Sequence, residues 1–410
     1  MRSPIRDTLD EARAELERAS GHSAEQLRRW EGWLADMIRL PSTYGREHAI
    51  VDYVSAKLSE LRVRAHGVAH DPGRRSLVCR IKGTGGGRSL VLNAHLDVVP
   101  AGDETAWTHP PFSGYIDTSQ RLIFGRGALD DKAGVAILLA LIEIFRDHPP
   151  AGDLTFHFVL DDETTGNGSL LCLEDGWTGD AALIIDGTRL DRAISQHAGQ
   201  LQFSVAVHGK PASISVPHLG VNAAEMLAEL LLVLRTHVRD LNATRKEPWT
   251  RFPSPFQLVV QRLSSEGELR TVPVRADAVA YATFPPPESL QSMRGRLEEC
   301  ARHFVAEKRG ACEVTLAWDG FATEPAASPE DELAEALQAT AHELKIPPID
   351  VGPSTGTSDM RHFVARGIPC LLYGPGTGYN PHRADESYSL DDLPRMVSLY
   401  TAFVKRWCRA

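Results

Sequence analysis

The chain has 410 residues and a formal net charge of -10 at pH 7, and its shares of hydrophobic and charged residues are typical of globular proteins. This length supports a large core, and two domains are the usual arrangement. The negative balance and the lack of a dominant basic run exclude nucleic acid and anionic membrane surfaces as partners, so a small-molecule or peptide-like substrate is expected.

The six cysteines are scattered along the chain and none forms a CxxC pair. This pattern favours reduced, structural thiols over a disulfide framework or a cysteine-rich zinc site. The first 20 residues are charged throughout and lack the apolar core of a signal peptide, and no run is long enough to span a bilayer. We therefore expect a cytoplasmic protein.

The first half of the chain predicts alternating helices and strands. In chain order these are a helix within 7–40, a helix around 51–58, strands at 76–81 and 89–94, a helix at 135–145, and strands at 154–160 and 181–185. The glycine-rich stretch 83–87 lacks the spacing of a phosphate-binding loop and predicts a hairpin or a plain loop.

Polar side chains follow these strands where each strand ends. His95 and Asp97 follow the strand at 89–94, Glu163 lies in the acidic segment after residue 160, and Asp186 follows the strand at 181–185. Asp130 precedes the helix at 135–145, where it could simply cap that helix. This rhythm predicts a parallel sheet whose strand ends direct carboxylates into one crevice.

The pattern changes between about residues 200 and 320. Alternating strands at 201–207, 258–263 and 274–283, with helices at 222–238 and 285–307, predict an inserted α+β domain with an antiparallel sheet. The first pattern then resumes with a helix at 330–344, a strand at 370–373 and a last helix at 393–407. His382 lies in a Gly/Pro-rich loop before that helix and supplies a second imidazole.

The candidate metal ligands are two imidazoles and three carboxylates: His95, Asp130, Glu163, Asp186 and His382. Such a set suits two divalent cations about 3.5 to 4 Å apart with one bridging carboxylate. The mixture of nitrogen and oxygen donors prefers Zn²⁺, with Co²⁺ and Mn²⁺ as alternatives. A metal pair of this kind polarises a carbonyl and activates water, and an adjacent unligated carboxylate serves as general base.

Five segments, in order, resemble the M20 metallopeptidases: His95-Leu-Asp97-Val-Val-Pro100, Gly125-Arg-Gly-Ala-Leu-Asp130-Asp-Lys-Ala-Gly134, Asp161-Asp-Glu-Thr-Thr-Gly-Asn-Gly168, Gly374-Pro-Gly376 and His382. The resemblance runs over nearly the whole chain. It implies an α/β zinc-peptidase-like domain with a mixed sheet flanked by helices, formed by residues 1–198 and 321–410. An inserted α+β lid, residues 199–320, would interrupt this domain and pair two chains as a homodimer.

The resemblance also implies roles for the candidate residues. His95 and Asp186 would bind one zinc ion, Glu163 and His382 the other, Asp130 would bridge, and Asp97 would hold His95. The implied activity is hydrolysis of an N-acyl amino acid or peptide-like amide through a metal-bound hydroxide.

Three substrate-side positions depart from the family pattern. The family has glutamate as general base, whereas Asp162 occupies that position here and is one methylene shorter. Ser213 replaces a lid histidine that donates to the oxyanion, and His218 is the nearest candidate substitute. No arginine precedes Pro285 to grip a substrate carboxylate.

Other residues could replace these lost contacts. Arg251 and Arg270 are the nearest lid arginines, although lone lid arginines are usually solvated. We also expect substrate contacts from four polar or small residues: Asn222, Gly356, Thr357 and Ser358.

The candidate metal ligands are all present, whereas three positions that would contact the substrate differ from the family pattern. Three hypotheses about the function follow. The first is an amidohydrolase with Asp162 as general base. The second is a metalloenzyme whose cations activate a carbonyl for another nucleophile, giving cyclisation or amide formation. The third is a non-catalytic protein that keeps its metal for structure, although structural zinc sites are usually closed sets of four ligands.

Overall fold

The computed structural model describes residues 21–71, 73–187, 189–329 and 332–409. The chain divides into two compact units. Unit 1 contains the described residues up to Ser195 together with Ser328–Gly352 and those from Ser358 onward, and unit 2 contains Gln196–Ala327 and Pro353–Thr357. The part of the predicted first helix before residue 21 lies outside the described residues.

The helices of the described ranges are α1 (Ala24–Ile38), α2 (His48–Glu60), α3 (Lys132–Phe145), α4 (Asn167–Glu174), α5 (Ala223–Asp240), α6 (Leu290–Glu307), α7 (Glu332–Glu343), α8 (Met360–Val364) and α9 (Asp392–Trp407). Helix α1 begins with a capping box in which Ser23 and Gln26 exchange hydrogen bonds, which explains its start. Within these ranges, no helix combines the length and the apolar character needed to cross a bilayer.

The strands are β1 (His66–Ala69), β2 (Arg75–Ile81), β3 (Leu90–His95), β4 (Tyr115–Asp117), β5 (Leu122–Phe124), β6 (Leu154–Val159), β7 (Ala181–Ile184), β8 (Arg192–His197), β9 (Gly199–His208), β10 (Gln257–Glu266), β11 (Arg275–Phe284), β12 (Glu313–Ala317), β13 (Ala322–Thr323), β14 (Ala326–Ala327), β15 (Asp350–Ser354), β16 (Cys370–Leu372), β17 (Gly378–Tyr379) and β18 (Ser387–Ser389).

The main sheet of unit 1 has the order β1-β2-β6-β3-β7-β16-β8. Strands β6, β3, β7 and β16 run parallel, and β2 and β8 are antiparallel to their neighbours. Every residue of β3, β6 and β7 is buried, as expected for parallel strands covered on both faces. Helix α3, itself almost wholly buried, packs on β3 and against α1 and α9. This is the predicted mixed sheet flanked by helices.

The predicted hairpin across residues 83–87 is wrong, and the alternative of a plain loop is confirmed. Strand β6 lies between β2 and β3, antiparallel to the first and parallel to the second. Because β6 is apolar and buried, it pairs with a strand on each side. It therefore separates β2 and β3, which are consecutive in the sequence. The glycine loop instead lies against the backbone of Ala151 and Gly152, where a Cβ on Gly83 would come within 2.4 Å of the carbonyl oxygen of Ala151.

A second, small sheet of unit 1 has the order β17-β18-β5-β4. Strand β5 ends at Phe124, just before the Asp130 loop (residues 125–131), and β17 and β18 enclose the His382 loop (residues 380–386). Pairing of β18 with β5 therefore joins two loops that are far apart in the sequence.

Unit 2 contains an antiparallel sheet of order β10-β11-β9-β12, with β13 also beside β9. Buried and partly exposed residues alternate along β9 and β11, because one face of the sheet packs on helices α5 and α6. The alternation predicted for this region is thus explained by a sheet with one covered face.

Candidate metal centre

The carboxyl ends of β3, β6 and β7 lie at one edge of the main sheet, because these three strands are parallel neighbours. His95 is the last residue of β3. The acidic turn (residues 161–168) follows β6, and Asp186 follows β7. The predicted convergence of strand-end side chains is therefore what the sheet order produces.

Asp130 lies between the two candidate histidines. Its Oδ1 is 2.9 Å from Nε2 of His95, and its Oδ2 is 3.0 Å from Nε2 of His382. His382 Nε2 also lies 2.9 Å from Oε1 of Glu163. One carboxylate that offers a different oxygen to each imidazole has the geometry required of a bridge between two cations.

The donor atoms form two overlapping groups. Donors of His95, Asp162 and Asp186 lie within 4.8 Å of one another, and so do those of His95, Asp130 and Glu163. Donors on one zinc ion at about 2.0–2.2 Å are at most about 4.4 Å apart, so small shifts would let either group hold an ion. Asp162, expected as the base, thus lies as near to His95 and Asp186 as a ligand would.

The site concentrates negative charge in a buried place. Burial, together with the nearby carboxylate of Asp186, raises the pKa of Asp162 to about 7. Burial and the carboxylate of Asp130 likewise raise the pKa of Asp186 to about 7. Crowded carboxylates of this kind are stabilised by bound divalent cations, so the donor set fits the expected metal pair.

Hydrogen bonds dominate the electrostatics of Asp130. Burial acts to raise the pKa of Asp130, but hydrogen bonds from His382 and His95 outweigh it and hold that pKa well below its ordinary range. The same contacts to Asp130 and Glu163 raise the pKa of His382 to about 10. Asp130 is therefore the carboxylate most strongly held in its charged form.

Asp97 contacts both His95 and the acidic turn. Its backbone carbonyl accepts a hydrogen bond from Nδ1 of His95 at 2.9 Å, while its carboxylate Oδ1 lies 3.7 Å from the same nitrogen. Its Oδ2 accepts a hydrogen bond from the backbone N–H of Glu163 at 3.1 Å. Asp97 thus orients the His95 ring mainly through the backbone and ties it to the turn that carries Glu163.

Glu386 is a residue of the site that the sequence reasoning missed. It is fully buried, and its carboxylate accepts hydrogen bonds from the backbone N–H groups of Gly127, Leu129 and Asp130 at 3.0–3.1 Å. Arg126 Nη1 donates to the same carboxylate at 2.5 Å. Glu386 follows His382 by four residues, and this proximity was the only sequence signal for its role.

A second missed contact involves Arg361, on helix α8. It donates to the carbonyl oxygens of Thr165 and Ser358, each at 2.9 Å. Nε2 of the neighbouring His362 lies 2.7 Å from the carbonyl oxygen of Gly166. Helix α8 therefore also holds the acidic turn, through the backbone carbonyls of Thr165 and Gly166.

The predicted substrate-contact residues lie on several loops. Ser213 and His218 are exposed in unit 2, on the segment before α5, and Asn222 caps that helix by accepting from the N–H groups of Ala224 and Glu225. Gly356 is exposed and Thr357 partly exposed in unit 2. Ser358, in unit 1, is buried and its Oγ accepts from the N–H of Met360.

A mixed sheet that gathers imidazoles and carboxylates at one edge, with one carboxylate between two imidazoles, defines the class of candidate two-metal hydrolases. The sequence model of the peptidase family M20/M25/M40 matches residues 91–406, and the chain belongs to this family. The predicted fold class and the predicted M20-like hydrolase of amide or peptide bonds are confirmed by this membership and by the structural likenesses below.

The chain resembles two curated proteins over most of its length. It is 29% identical over 395 residues to succinyl-diaminopimelate desuccinylase of Rhodospirillum centenum, covering 91% of this chain and 95% of that protein. It is 25% identical over 400 residues to a probable succinyl-diaminopimelate desuccinylase of Staphylococcus epidermidis, covering 91% and 96%.

Two solved structures show the same fold. Aminopeptidase PepT from Bacillus cereus superposes with a TM-score of 0.75 at 18% identity, covering 93% of this chain and 98% of that one. The Bacillus subtilis YXEP protein, described as a dinuclear metal-binding peptidase of the M20 family, superposes with a TM-score of 0.68 at 14% identity, covering 94% and 98%.

Proposed function

We propose that this protein hydrolyses the amide bond of an N-acyl amino acid, and that an N-succinyl diamino acid is the first substrate to test. The observation that carries the proposal is Asp130, whose two oxygens face His95 and His382 separately. The succinyl group is suggested by the relatives in Rhodospirillum and Staphylococcus, which are named as desuccinylases.

We propose that His95 and Asp186 hold one cation, Glu163 and His382 the other, and that Asp130 lies between them. Zn²⁺ suits these donors best, with Co²⁺ and Mn²⁺ as alternatives. When bound, such a pair polarises the substrate carbonyl and activates water. In this proposal Asp162, whose carboxylate lies close to donor atoms of His95 and Asp186, accepts the proton that the water loses and passes it to the leaving amine.

The test is amine release from a panel of N-succinyl and N-acetyl amino acids and dipeptides. The purified protein is incubated with each compound after loading with Zn²⁺ or Co²⁺, and the bound metal is quantified by mass spectrometry. We expect turnover that Asp162→Asn lowers by about 10² or more while metal content stays at two ions per chain. Absence of amine release from every compound, with two ions bound, would contradict the proposal.

A second candidate function is favoured by the replacement of the base. The shorter Asp162 is a weaker partner for water, and a carbonyl activated in this site could instead react with an amine of the substrate, giving cyclisation or amide formation. Reaction in ¹⁸O-labelled water separates the two functions. Hydrolysis places one ¹⁸O atom in the released carboxylate, whereas attack of a substrate amine on the amide carbonyl expels the original amine and yields a new amide without ¹⁸O.

We propose that Arg270 binds the substrate carboxylate in place of the arginine that is absent before Pro285. It belongs to the turn between β10 and β11, and its carbonyl oxygen accepts a hydrogen bond from the N–H of Ile214. Ser213 and Thr271 form a β-bridge beside this contact, so Arg270 and the loop of Ser213 are held together within unit 2. We propose that Arg270→Ala raises KM for N-succinyl substrates and changes kcat little.

We also propose that two chains pair through the predicted lid, residues 199–320. Strand β10 lies at one end of the sheet of unit 2, and its Val259 and Leu263 side chains are 55% and 58% exposed. Leu232, on the neighbouring α5, is 63% exposed. An exposed apolar edge strand is a natural site for pairing with a second copy.

A further inference from the structure

A chain of hydrogen-bonded side chains links β2 to the acidic turn. His70 contacts Ser76 Oγ through Nε2 at 2.7 Å and Asp161 Oδ2 through Nδ1 at 2.9 Å. Arg74 donates to Asp161 Oδ1 at 2.5 Å and to Glu47 Oε1 at 2.6 Å. Both oxygens of the Asp161 carboxylate are therefore fixed by cationic or polar groups that lie outside the acidic turn.

Serine, histidine and aspartate in this order are also the components of a nucleophilic triad. Here Ser76 is fully buried, and its Oγ accepts a hydrogen bond from the backbone N–H of Leu160 at 3.0 Å. A substrate carbonyl cannot approach an oxygen enclosed in this way. The arrangement is therefore a mechanical link to the end of β6 and not a second nucleophilic site.

Asp161 controls the conformation of the acidic turn. Its φ of +70° lies in the left-handed region, which is unfavourable for a non-glycine residue unless its surroundings hold it there. Its carbonyl oxygen accepts hydrogen bonds from the N–H groups of Thr164, Thr165 and Gly166 at 3.2, 3.0 and 2.6 Å. The next two residues carry the proposed base and a proposed metal ligand, so a rotation at Asp161 would displace both carboxylates.

We infer that His70 is a positioning residue that sets the place of Asp162 and Glu163 by holding Asp161. A base one methylene shorter than glutamate leaves less tolerance in the turn that carries it, and a displacement of about 1 Å can cost about 10²-fold in rate. His70, Arg74 and Ser76 all precede residue 91, where the match to the family model begins. The kinetic part of this inference rests on the proposed function, whereas its structural part does not.

Two substitutions separate the two hydrogen bonds of His70. The side-chain amide of asparagine reaches the position of Nδ1, so His70→Asn can keep the bond to Asp161 and loses the bond to Ser76. The longer His70→Gln reaches the position of Nε2 and does the reverse. We expect His70→Gln to lower kcat by about 10²-fold with KM within about twofold, and His70→Asn to stay within about threefold of the wild type.

Amide hydrogen exchange of the chelator-treated protein tests the inference without any substrate. We expect His70→Gln to accelerate exchange in residues 161–168 and His70→Asn to leave it unchanged, with both variants retaining wild-type exchange in α3 and β3. His66→Gln, at an exposed histidine of β1, is the matched control and should change neither readout. Wild-type exchange rates in residues 161–168 together with a wild-type kcat in His70→Gln would overturn the inference. An equal decrease of kcat in His70→Gln and His70→Asn would also overturn it.

These readouts keep the two proposals distinguishable. If no substrate is turned over by the wild type, the proposed function fails while the exchange comparison still decides the role of His70. If turnover is found and His70→Gln loses it only together with its thermal stability and its wild-type exchange in α3 and β3, the proposed function stands and the positioning role does not.

Discussion

At the residue scale, we expect Glu386 to influence metal affinity although it is not among the proposed ligands. Its carboxylate fixes the backbone of the Asp130 loop through three N–H groups, and it belongs to the same loop as His382. Loss of its charge would therefore loosen the Asp130 carboxylate and the His382 imidazole together. Residues that orient metal ligands typically contribute a factor of about 10–100 in affinity.

We therefore expect Glu386→Gln to weaken Zn²⁺ binding by about 10–100-fold, measured by calorimetric titration against a competing chelator. Glu324→Gln is the matched control, because Glu324 also accepts a backbone N–H, that of Leu290, but belongs to unit 2. A folded Glu386→Gln protein with wild-type affinity would show that the Asp130 loop keeps its shape without this anchor.

The buried carboxylates predict how the stability of the chelated protein depends on pH. Asp162 and Asp186 have pKa values raised from 3.8 to about 7, so the folded state binds their protons more tightly than the unfolded chain. This contribution to the free energy of unfolding is fully present below about pH 4 and is lost as the pH rises through about 7. We therefore expect the urea concentration at the unfolding midpoint of EDTA-treated protein to decrease as the pH is raised from about 4 to about 7.

Asp186→Asn should show a smaller fall, because one of the carboxylates with a raised pKa is gone while those of Asp97, Asp162 and Asp359 remain. Saturating Zn²⁺ should raise the midpoint more at about pH 8 than at about pH 5, since metal ligands bind in their deprotonated forms. Identical pH profiles for Asp186→Asn and the wild type would show that other groups control the pH dependence.

Individual residues of the site differ in how far the sequence could predict them. His95 ends one strand, and Glu163 and Asp186 follow two others; the apolar runs of all three strands are visible in the sequence, so the convergence was predictable from sheet geometry. Glu386 and His70 act through partners that only the folded loops bring near, namely backbone N–H groups at 127–130 and the Asp161 carboxylate. No local pattern of residue types marks such contacts.

At the scale of secondary structure, segments with a continuous apolar run or a helical period were predictable, and very short strands were not. Strands β3, β6 and β7 and helix α3 appear as continuous apolar runs because they are almost wholly buried, whereas α5 and α9 show a helical period because one face of each is buried. Strands β5, β17 and β18 have two or three residues each, too few for a period, yet they join the Asp130 and His382 loops. Sequence patterns therefore could not predict the pairing of β5 with β18, which brings the Asp130 and His382 loops together.

The junction of β6 and α4 depends on close backbone packing at Gly168. A Cβ at this position would lie 2.0 Å from the carbonyl oxygen of Leu160, and a backbone atom cannot move aside as a flexible side chain can. We expect Gly168→Ala to lower the free energy of unfolding by about 1–3 kcal/mol, measured by urea denaturation.

Gly295, in α6, provides a control at which the same substitution should raise the free energy of unfolding. It is exposed in a helix interior, and a Cβ there would meet nothing within 4 Å. Gly295→Ala should stabilise the protein by about 0.4–1 kcal/mol, because alanine loses less backbone entropy on folding. Equal effects of the two substitutions would contradict the packing argument at Gly168.

At the scale of the whole chain, the site is assembled from distant parts of the sequence. Unit 1 receives residues from before and after unit 2, and His382 joins Asp130 and Glu163 across more than 200 positions. The order of the five family-like segments made this assembly predictable. Domain boundaries at 198 and 320 stay a prediction, because a change of pattern along the chain does not mark a single residue.

The surface of unit 2 raises the question of oligomeric state. Strand β10 is paired only with β11 among the described strands, and all of its residues except Leu258 are exposed. Exposed apolar side chains on a free strand edge promote uncontrolled pairing unless a specific partner covers them. Pairing with a second copy would cover both edges at once, because the two strands can run antiparallel about a two-fold axis.

We expect the wild type to have the mass of two chains in light-scattering chromatography, and the Val259→Lys/Leu263→Lys variant to have the mass of one. Lysines on an edge strand oppose pairing because each unit would bring like charges together and would have to desolvate them. Leu344→Lys is the matched control, since Leu344 is also an exposed leucine, 41% accessible, but lies in unit 1 beyond α7. A wild-type protein of single-chain mass at micromolar concentration would refute pairing through β10, whereas dissociation by Leu344→Lys would place the contact elsewhere.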